Sequence, residues 1–426
     1  MTKKILILNT HSSLNAGDAA IVLAQVKFLR GVFNSVEISL TSRTPELDAK
    51  VYASEGVRVI PPVLPAPSVF DGIGRKIAGA ARNLADLRAK RDFLKAAREA
   101  DLVIASGGGY FWSKRRLVPG LMFLQNILHL RLVERMKKPL VLFPQSFGPL
   151  ASPFHRRLLR KTLEAGSVTK IFAREQRSAD FLGGLIADAG TRAKIDVCPD
   201  LTFLLAEEVG PAPAPVQVDP LPKPVVALTL RQWDFPEAAG RAERRRFGQE
   251  YFGELARFCE YIIRDRKGSV LIYPQSRGPG AFEDDRPVSR AFYAKLRAAL
   301  PSAPVRYFED NASTSLEAAS TLLSRADLVL ATRFHSALLA LVRGVPALAI
   351  GYQPKTQGIM ARLGLDKYAF EISRVKSSDL RAAAEDILAS PAAFRERVRP
   401  RLVEMKGEVT EKLGRALGLG GAGRQP

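Results

Sequence analysis

Three side chains able to handle an anion and a proton are spaced along one stretch of the chain, Asp327 to Lys355: Arg333, His335 and Lys355. A guanidinium and an ammonium neutralise negative charge, and an imidazole titrates near neutral pH, so the set suits an anionic small molecule and proton transfer. The residues around them predict how they are held. Asp327 to Ala331 is a mostly apolar run short enough for a buried strand, Ser336 to Val342 reads as a helix stopped by Gly344 with Pro346 just beyond, and Val345 to Ile350 is a second apolar run. The unit is β-α-β with parallel strands, and in parallel sheets ligands collect outside the carboxyl ends of strands. Arg333, His335 and Lys355 fall at that edge. A purely structural reading makes the two cations surface residues and His335 a helix-start residue bonded to backbone; their joint placement favours function.

Other polar clusters sit at comparable places. Arg231 ends the run Val225 to Leu230 and adds a cation at the same edge. Asn15-Ala16-Gly17-Asp18 precedes a helix whose first N–H groups can receive an anion or a sugar hydroxyl, although Asp18 also fits a plain N-cap with Gly17 making the turn. Ser106-Gly107-Gly108-Gly109 follows a strand directly, where missing Cβ atoms let a ligand or another backbone approach. It has neither the Gly-Lys-Ser/Thr ending of a P-loop nor dinucleotide spacing, so ATP and NAD are not expected. Tyr110, Phe111 and Trp112 offer a platform for a sugar ring or serve as core. Gln145-Ser146 and Gln275-Ser276 each follow a strand and supply neutral donors suited to hydroxyls. His11, His129 and His155 carry less; His129, inside an apolar helical pattern, is expected to be structural.

Placing these groups requires two alternating α/β halves. Strand Lys4 to Asn9 and a helix from about Asp18 to Phe33 begin the first, followed by strand runs at Asp101 to Ala105, Leu140 to Phe143 and Ile171 to Phe172. Ala206 to Pro224, with six prolines, reads as a linker. The pattern then restarts at Val225 to Leu230, Ser269 to Tyr273, Val305 to Phe308, Asp327 to Ala331 and Val345 to Ile350. The expected division is 1–205, a linker at 206–224, 225–400, and a terminal helix and frayed tail at 401–426, with that helix able to pack back on the first domain. A short internal echo, PLVLFPQSFGP from Pro139 and SVLIYPQSRGP from Ser269, suggests duplication or one turn solved twice. Pro61 to Arg75, Asp234 to Arg246 and Arg277 to Arg286 read as loops, candidate lids or acceptor contacts.

Composition removes several classes. At 426 residues, two or three domains are expected, and no apolar run reaches the roughly 18 residues of a spanning helix. Ile5 to Leu8 is too short for a signal peptide and fits a first strand, while Cys198 and Cys259 are too isolated for a disulfide framework or a zinc site. A cytoplasmic protein without a metal is expected. Net charge is +21, from 64 basic and 43 acidic residues. The basic clusters lack interleaved aromatics and any nucleic-acid module, so no nucleic-acid partner is expected; an anionic membrane surface fits the charge better.

In order along the chain, these segments resemble the polysaccharide pyruvyl transferases, a family with a two-domain fold similar to the GT-B glycosyltransferases. The matching pieces are Asn15-Ala16-Gly17-Asp18-Ala19-Ala20-Ile21, Ser106 to Gly109, Gln145-Ser146-Phe147-Gly148-Pro149, Ala173-Arg174-Glu175, and Arg333-Phe334-His335-Ser336 through Gly344-Val345-Pro346 to Tyr352 and Lys355. Asp200-Leu201-Thr202 departs from the Asp-Pro-Ala more usual in the family. The resemblance implies an α/β fold of two Rossmann-like domains in a GT-B-like arrangement with a cleft between them. It also implies phosphoenolpyruvate as co-substrate without a separate cofactor, and a hexose of a glycan or lipid-linked acceptor, joined as a cyclic pyruvate ketal for a cell-surface or exopolysaccharide precursor. Under it, Arg333, Lys355, Arg231 and Ser336 bind the donor, His335 is the acid and Asp18, on position alone, the base. Asn15, Gly17, Gly107, Gly108, Gly109, Tyr110, Gln145, Ser146 and Gln275 are the acceptor contacts, and the enzyme works in the cytoplasm, peripherally at the membrane's inner face. Two other readings stay open: a GT-B glycosyltransferase using a nucleotide sugar, and a catalytically silent glycan- or anion-binding protein. Against the first, Glu371, the first glutamate after Lys355, lies in a strand-like run and not at a helix start.

Overall fold

The computed structural model describes residues 2–64, 87–113, 121–206, 220–308, 315–352 and 354–419, with backbone alone at 87–89, 121, 315, 317, 354 and 355. Most of the expected linker, 207–219, lies outside the described residues, as do residues 65–75 of one expected loop. The chain divides into two compact units. The first comprises Met1–Ser13, Asp18–Leu204 and Met405–Pro426; the second comprises Leu14–Gly17 and Leu205–Glu404. Relative to a simple split near residue 205, a four-residue segment before Asp18 belongs to the second unit and the chain's end returns to the first. The last helix is longer than expected: it runs from Pro391 to Ala416 with Pro400 inside it, so the proline did not end it.

In the first unit, strands β1 (Lys3–Leu8), β2 (Val36–Thr41), β3 (Arg58–Ile60), β4 (Leu102–Ala105), β5 (Gly108–Ser113), β6 (Leu140–Leu150), β7 (Val168–Ala173) and β8 (Ile195–Val197) form a parallel sheet. Its order is β3-β2-β1-β4-β6-β7-β8, with β5 lying beside β6. The apolar runs Ile5–Leu8 and Leu102–Ala105 are buried, as expected for strands covered on both faces. Leu6, Leu8, Val103 and Ala105 join Phe93, Phe111, Leu130 and Leu142 in the core beneath one face.

The second unit repeats the plan with β9 (Val225–Thr229), β10 (Ser269–Ile272), β11 (Val305–Tyr307), β12 (Leu328–Ala331), β13 (Ala347–Gly351) and β14 (Ala369–Glu371), in the order β11-β10-β9-β12-β13-β14. Strand order reverses between β1 and β4 in one unit and between β9 and β12 in the other, the switch points at which open α/β sheets bind ligands. Thr229 pairs with Ala331, so Arg231 and Arg333 each stand two residues beyond the end of that register. Leu8 pairs with Ala105, which puts Thr10 and Gly107 at the matching places in the first unit.

Candidate functional site

In the second unit, Arg333 is 8 % exposed and immediately precedes the helix Phe334–Val342. Its Nε donates to Asp285 Oδ2 at 2.9 Å, and its Nη2 donates to Asp285 Oδ1 at 2.6 Å and to the Glu283 carbonyl at 3.0 Å. Asp285 in turn accepts from the Ser276 N–H at 3.1 Å and returns its own N–H to the Ser276 carbonyl at 2.8 Å. Burial pushes the Asp285 carboxyl above its ordinary range, while Arg333 and, less strongly, Arg231 pull it down. The arginine expected to meet a donor is therefore engaged with a buried carboxylate. The same contacts tie down the segment Arg277 to Arg286, expected as a lid: Arg277 and Asp284 form an antiparallel bridge and Arg286 pairs with Asp284 at 2.8 Å.

His335 is approached by the segment Leu14–Gly17. The Arg277 N–H donates to the Leu14 carbonyl at 2.8 Å, the Ala16 N–H donates to the Gln275 carbonyl at 3.2 Å, and Asn15 bridges Ser276. A Cβ on Gly17 would lie 2.4 Å from His335 Cγ and 2.5 Å from its Nδ1, so only glycine lets this backbone pass the imidazole. The expected anion-receiving helix start is occupied: the Gly17 N–H donates to Asn15 Oδ1 at 3.0 Å, and the Ala16 N–H is used as above. Asn15 is thus a cap, and Gly17 a spacer against His335.

Arg231 has a different environment. Its Nη1 donates to the Tyr352 hydroxyl at 2.9 Å, and its guanidinium carbon lies 4.6 Å from the Tyr352 ring centre and 5.8 Å from that of Trp233. Its buried Nε has no hydrogen-bond partner among the described residues. Gln275, 1 % exposed, likewise has an unpartnered Nε2, while its Oε1 accepts from the Tyr273 hydroxyl at 3.4 Å. Both orphan atoms are donors, which is what an anion requires. Ser336, also expected at the donor, is fully buried beside the Tyr273 phenol. Lys355 lies in the helix Pro354–Arg362, but its side chain is outside the described atoms.

In the first unit Asp18 is not a cap, because its helix already starts at Ala16. Its Oδ1 accepts from the Tyr110 hydroxyl at 3.1 Å, and its Oδ2 lies 3.2 Å from His11 Nδ1. Burial, then Asp18 itself, pushes the Tyr110 phenol up, so the hydroxyl keeps its proton and donates. The glycine run admits the chain's own side chains. A Cβ on Gly108, at φ +137°, would strike the Tyr110 ring at 2.4 Å, and one on Gly107 would meet Leu201 at 2.8 Å; Gly109 has only ordinary contacts. Phe111 is core, stacked on Phe147 at 5.5 Å, while Trp112 is exposed.

Gln145 is fully buried, its Nε2 donating to the Ala105 carbonyl at 3.4 Å and its Oε1 unpartnered. The Ser146 hydroxyl accepts from Arg174 Nη2 at 2.7 Å and donates to Glu175 at 2.9 Å, and Arg174 Nη1 donates to Asp200 at 2.7 Å. Ser146, half-buried, therefore joins an ion-pair network whose core is the buried Arg174–Asp200 pair. His129 is structural as expected: it accepts from the Val63 N–H at 3.1 Å and lies 2.9 Å from Asn9 Oδ1.

The model of the family described as polysaccharide pyruvyl transferase matches residues 15–354, a span that holds Asp18, Arg174, Arg231, Asp285 and His335. The chain belongs to the polysaccharide pyruvyl transferase family. It is 24% identical over 418 residues to the amylovoran biosynthesis protein AmsJ of Erwinia amylovora, covering 90% of this chain and 92% of that one. Solved structures share the fold at low identity. A UDP-GlcNAc 2-epimerase from Methanocaldococcus jannaschii aligns at TM-score 0.52 with 13% identity, covering 98% of this chain and 100% of that one. An α,α-trehalose-phosphate synthase from Burkholderia vietnamiensis aligns at 0.54 with 10% identity, covering 98% and 99%. The pyruvyl transferase chain thus has the GT-B-like fold of two Rossmann-like domains. Sequence reading missed Trp233 and Asp285 as members of these clusters, gave His11 little weight, and had Tyr352 only as a piece of the resemblance. His11 stands three residues beyond β1 at a switch point, which was the available signal; Asp285 is distant from Arg333 in sequence and gave none.

Proposed function

We propose that the protein moves pyruvate from phosphoenolpyruvate onto a hexose of an exopolysaccharide or cell-surface precursor as a cyclic ketal. Family membership and a relative named for amylovoran biosynthesis support transfer in exopolysaccharide synthesis. The observation that carries the donor assignment is Arg231: a guanidinium set against the paired Tyr352 and Trp233 rings, with a buried N–H lacking an acceptor among the described residues. A carboxylate or phosphate oxygen satisfies it with a charge-assisted hydrogen bond, and Gln275 Nε2 supplies a second donor. Trp233 and Tyr352 pack on each other with ring centres 4.4 Å apart and hold the cation from one side.

In this reading His335 gives a proton to the methylene carbon of phosphoenolpyruvate, and the carbon bearing phosphate becomes oxocarbenium-like. One sugar hydroxyl attacks that carbon while Asp18 takes its proton. A second hydroxyl then displaces phosphate; its proton leaves with the phosphate, and the ring closes. Atoms balance without an oxidant or reductant. Acceptor selection falls to the first unit, where the unpartnered Gln145 Oε1 can accept from a hydroxyl. The +21 net charge supports work beside an anionic membrane.

The test combines phosphoenolpyruvate with a panel of hexosides and measures phosphate release together with product mass. The expected product weighs the hexoside plus pyruvic acid less water, with one phosphate per ketal. His335→Ala and Asp18→Asn are expected to bind phosphoenolpyruvate and lose turnover. Release of phosphate without a ketal, or glycosyl transfer from a nucleotide sugar, contradicts the proposal.

A further inference from the structure

Asp18 is met by the side chains of His11 and Tyr110, one on each carboxylate oxygen, which leaves it little orientational freedom. His11 follows β1, and its ring stacks parallel to that of Tyr110 with centroids 5.9 Å apart and an interplanar angle of 4°. Its main chain is pinned to the end of β2 by the Arg43 N–H, which donates to the His11 carbonyl at 3.3 Å. Its ring is pinned by the same residue, because Arg43 Nη1 donates to His11 Nε2. A guanidinium has no lone pair to offer, so Nε2 must be the acceptor and the ring proton must sit on Nδ1. That nitrogen lies 3.2 Å from Asp18 Oδ2, an ion-pair distance at which the N–H is not aligned for a hydrogen bond, so the hold on the carboxylate is electrostatic. The other oxygen, Oδ1, accepts from Tyr110. Asp18 retains 12% side-chain exposure, so it is held but reachable.

We infer that Arg43 and His11 form a positioning relay, in which Arg43 fixes the Nδ1–H tautomer of His11 and His11 fixes the carboxylate of Asp18 for proton abstraction from the acceptor hydroxyl. The inference rests on the reading of Asp18 as base in pyruvyl transfer. His11 and Arg43 are positioning residues; His11 lies against Asp18, Arg43 holds His11, and neither takes a proton in the reaction. Tyr110 completes the cradle, and Gly108 makes room for its ring.

The relay predicts a particular pattern across variants. His11→Phe keeps the ring stack and removes the donor, so kcat falls by about 10- to 100-fold, the scale of a misplaced catalytic group. Phosphoenolpyruvate affinity, read calorimetrically without acceptor, stays within about twofold, since uniform binding is untouched. His11→Asn returns an amide N–H near the Nδ1 position and recovers most of kcat. Arg43→Met frees the tautomer and lowers kcat less than His11→Phe. Wild-type kcat in His11→Phe, or in Arg43→Met should the first variant not fold, overturns the relay, as does an asparagine that performs no better than phenylalanine. A readout independent of turnover is nitrogen NMR of labelled histidine, with His11 assigned by its loss in the His11→Phe spectrum, or in that of His11→Asn. The expected signal is a protonated Nδ1 and a bare Nε2; a proton on Nε2 overturns the relay whether or not pyruvyl transfer is the reaction. Absence of phosphate release from the wild type, with the expected tautomer present, instead counts against pyruvyl transfer alone.

Discussion

The two Pro-Gln-Ser turns, one in each unit, are built alike and leave unlike groups unsatisfied. Each ends with a glycine at positive φ, Gly148 at 76° and Gly278 at 139°, followed by a cis proline bond. Each also lies against a buried arginine–aspartate pair. Ser146 accepts from Arg174, which Asp200 holds at 2.7 Å; Ser276 donates its N–H to Asp285, which holds Arg333 at 2.6 Å. The turns diverge in what they leave unsatisfied. Gln145 retains a bare acceptor and Gln275 a bare donor. Beyond them, the first unit presents a carboxylate held by His11 and Tyr110, Asp18, and the second a guanidinium packed against paired aromatics, Arg231. The motif arginines therefore lock the turns, and under the proposed function the chemistry falls to Asp18 in the first unit and Arg231 in the second. A hydroxyl acceptor suits the first set and an anionic donor suits the second.

The strongest way to break this comparison is to remove the two locking arginines. Arg174→Ala and Arg333→Ala each strand a buried carboxylate, and each is expected to cost about 3–5 kcal/mol in denaturant unfolding. An Arg333→Ala chain of unchanged stability that no longer binds phosphoenolpyruvate would return Arg333 to the donor site and dissolve the parallel. Gly17→Ala comes next. Its Cβ would overlap the His335 ring, so a strain of about 1–3 kcal/mol is expected, together with lost turnover. Full activity in that variant would show that the approach of Leu14–Gly17 to His335 is not needed.

A pH measurement tests the structural role of His129. Burial pushes His129 down to about 3, from 6.5. Its folded pKa is depressed, so the unfolded chain binds the proton first as pH falls; stability is intact above about 6.5 and declines between 6.5 and 3. The slope reaches at most about 1.4 kcal/mol per pH unit for one such group. His129→Gln should flatten the fall in unfolding midpoint over that window, and an unchanged slope would show that His129 does not set it. The smallest effect concerns the basic surface. Binding to phosphatidylglycerol vesicles at low salt is expected to weaken on adding salt, with each nearby cation contributing about 1 kcal/mol. Among the described residues no helix is long and apolar enough to cross a membrane. Phe154, 58% exposed on the basic helix Pro153–Leu163, gives the vesicle experiment a specific variant, Phe154→Ala.

Most of the central sheet was legible because strands covered on both faces must be continuous apolar runs, as at Val225–Thr229 and Leu328–Ala331. Several strands of the first sheet were not, whereas the edge strand Val305–Tyr307 of the second was. Arg58–Ile60 and Ile195–Val197 are three residues long, Val36–Thr41 is only half buried, and Gly108–Ser113 opens with two glycines. The candidate site divides along similar lines. Positions of Arg231, Arg333 and His335 followed from strand ends, but the engagement of Arg333 depended on Asp285, part of a charged run that resembled a loop. Asp18 was found without its partners, because Tyr110 reads as one aromatic among three and His11 as an ordinary histidine after a strand. The glycines were noticed for the right steric reason, yet what they admit is Leu201 and Tyr110 of the same chain.

The account stands most directly on Arg231. Calorimetric titration of phosphoenolpyruvate into the wild type and Arg231→Met, beside a panel of nucleotide sugars, should show phosphoenolpyruvate binding alone. The substitution should weaken it by at least about 10-fold, the equivalent of one charge-assisted hydrogen bond of about 1.5–3 kcal/mol, with the unfolding midpoint unchanged. Equal phosphoenolpyruvate affinity in Arg231→Met, or selective binding of a nucleotide sugar, would contradict the assignment.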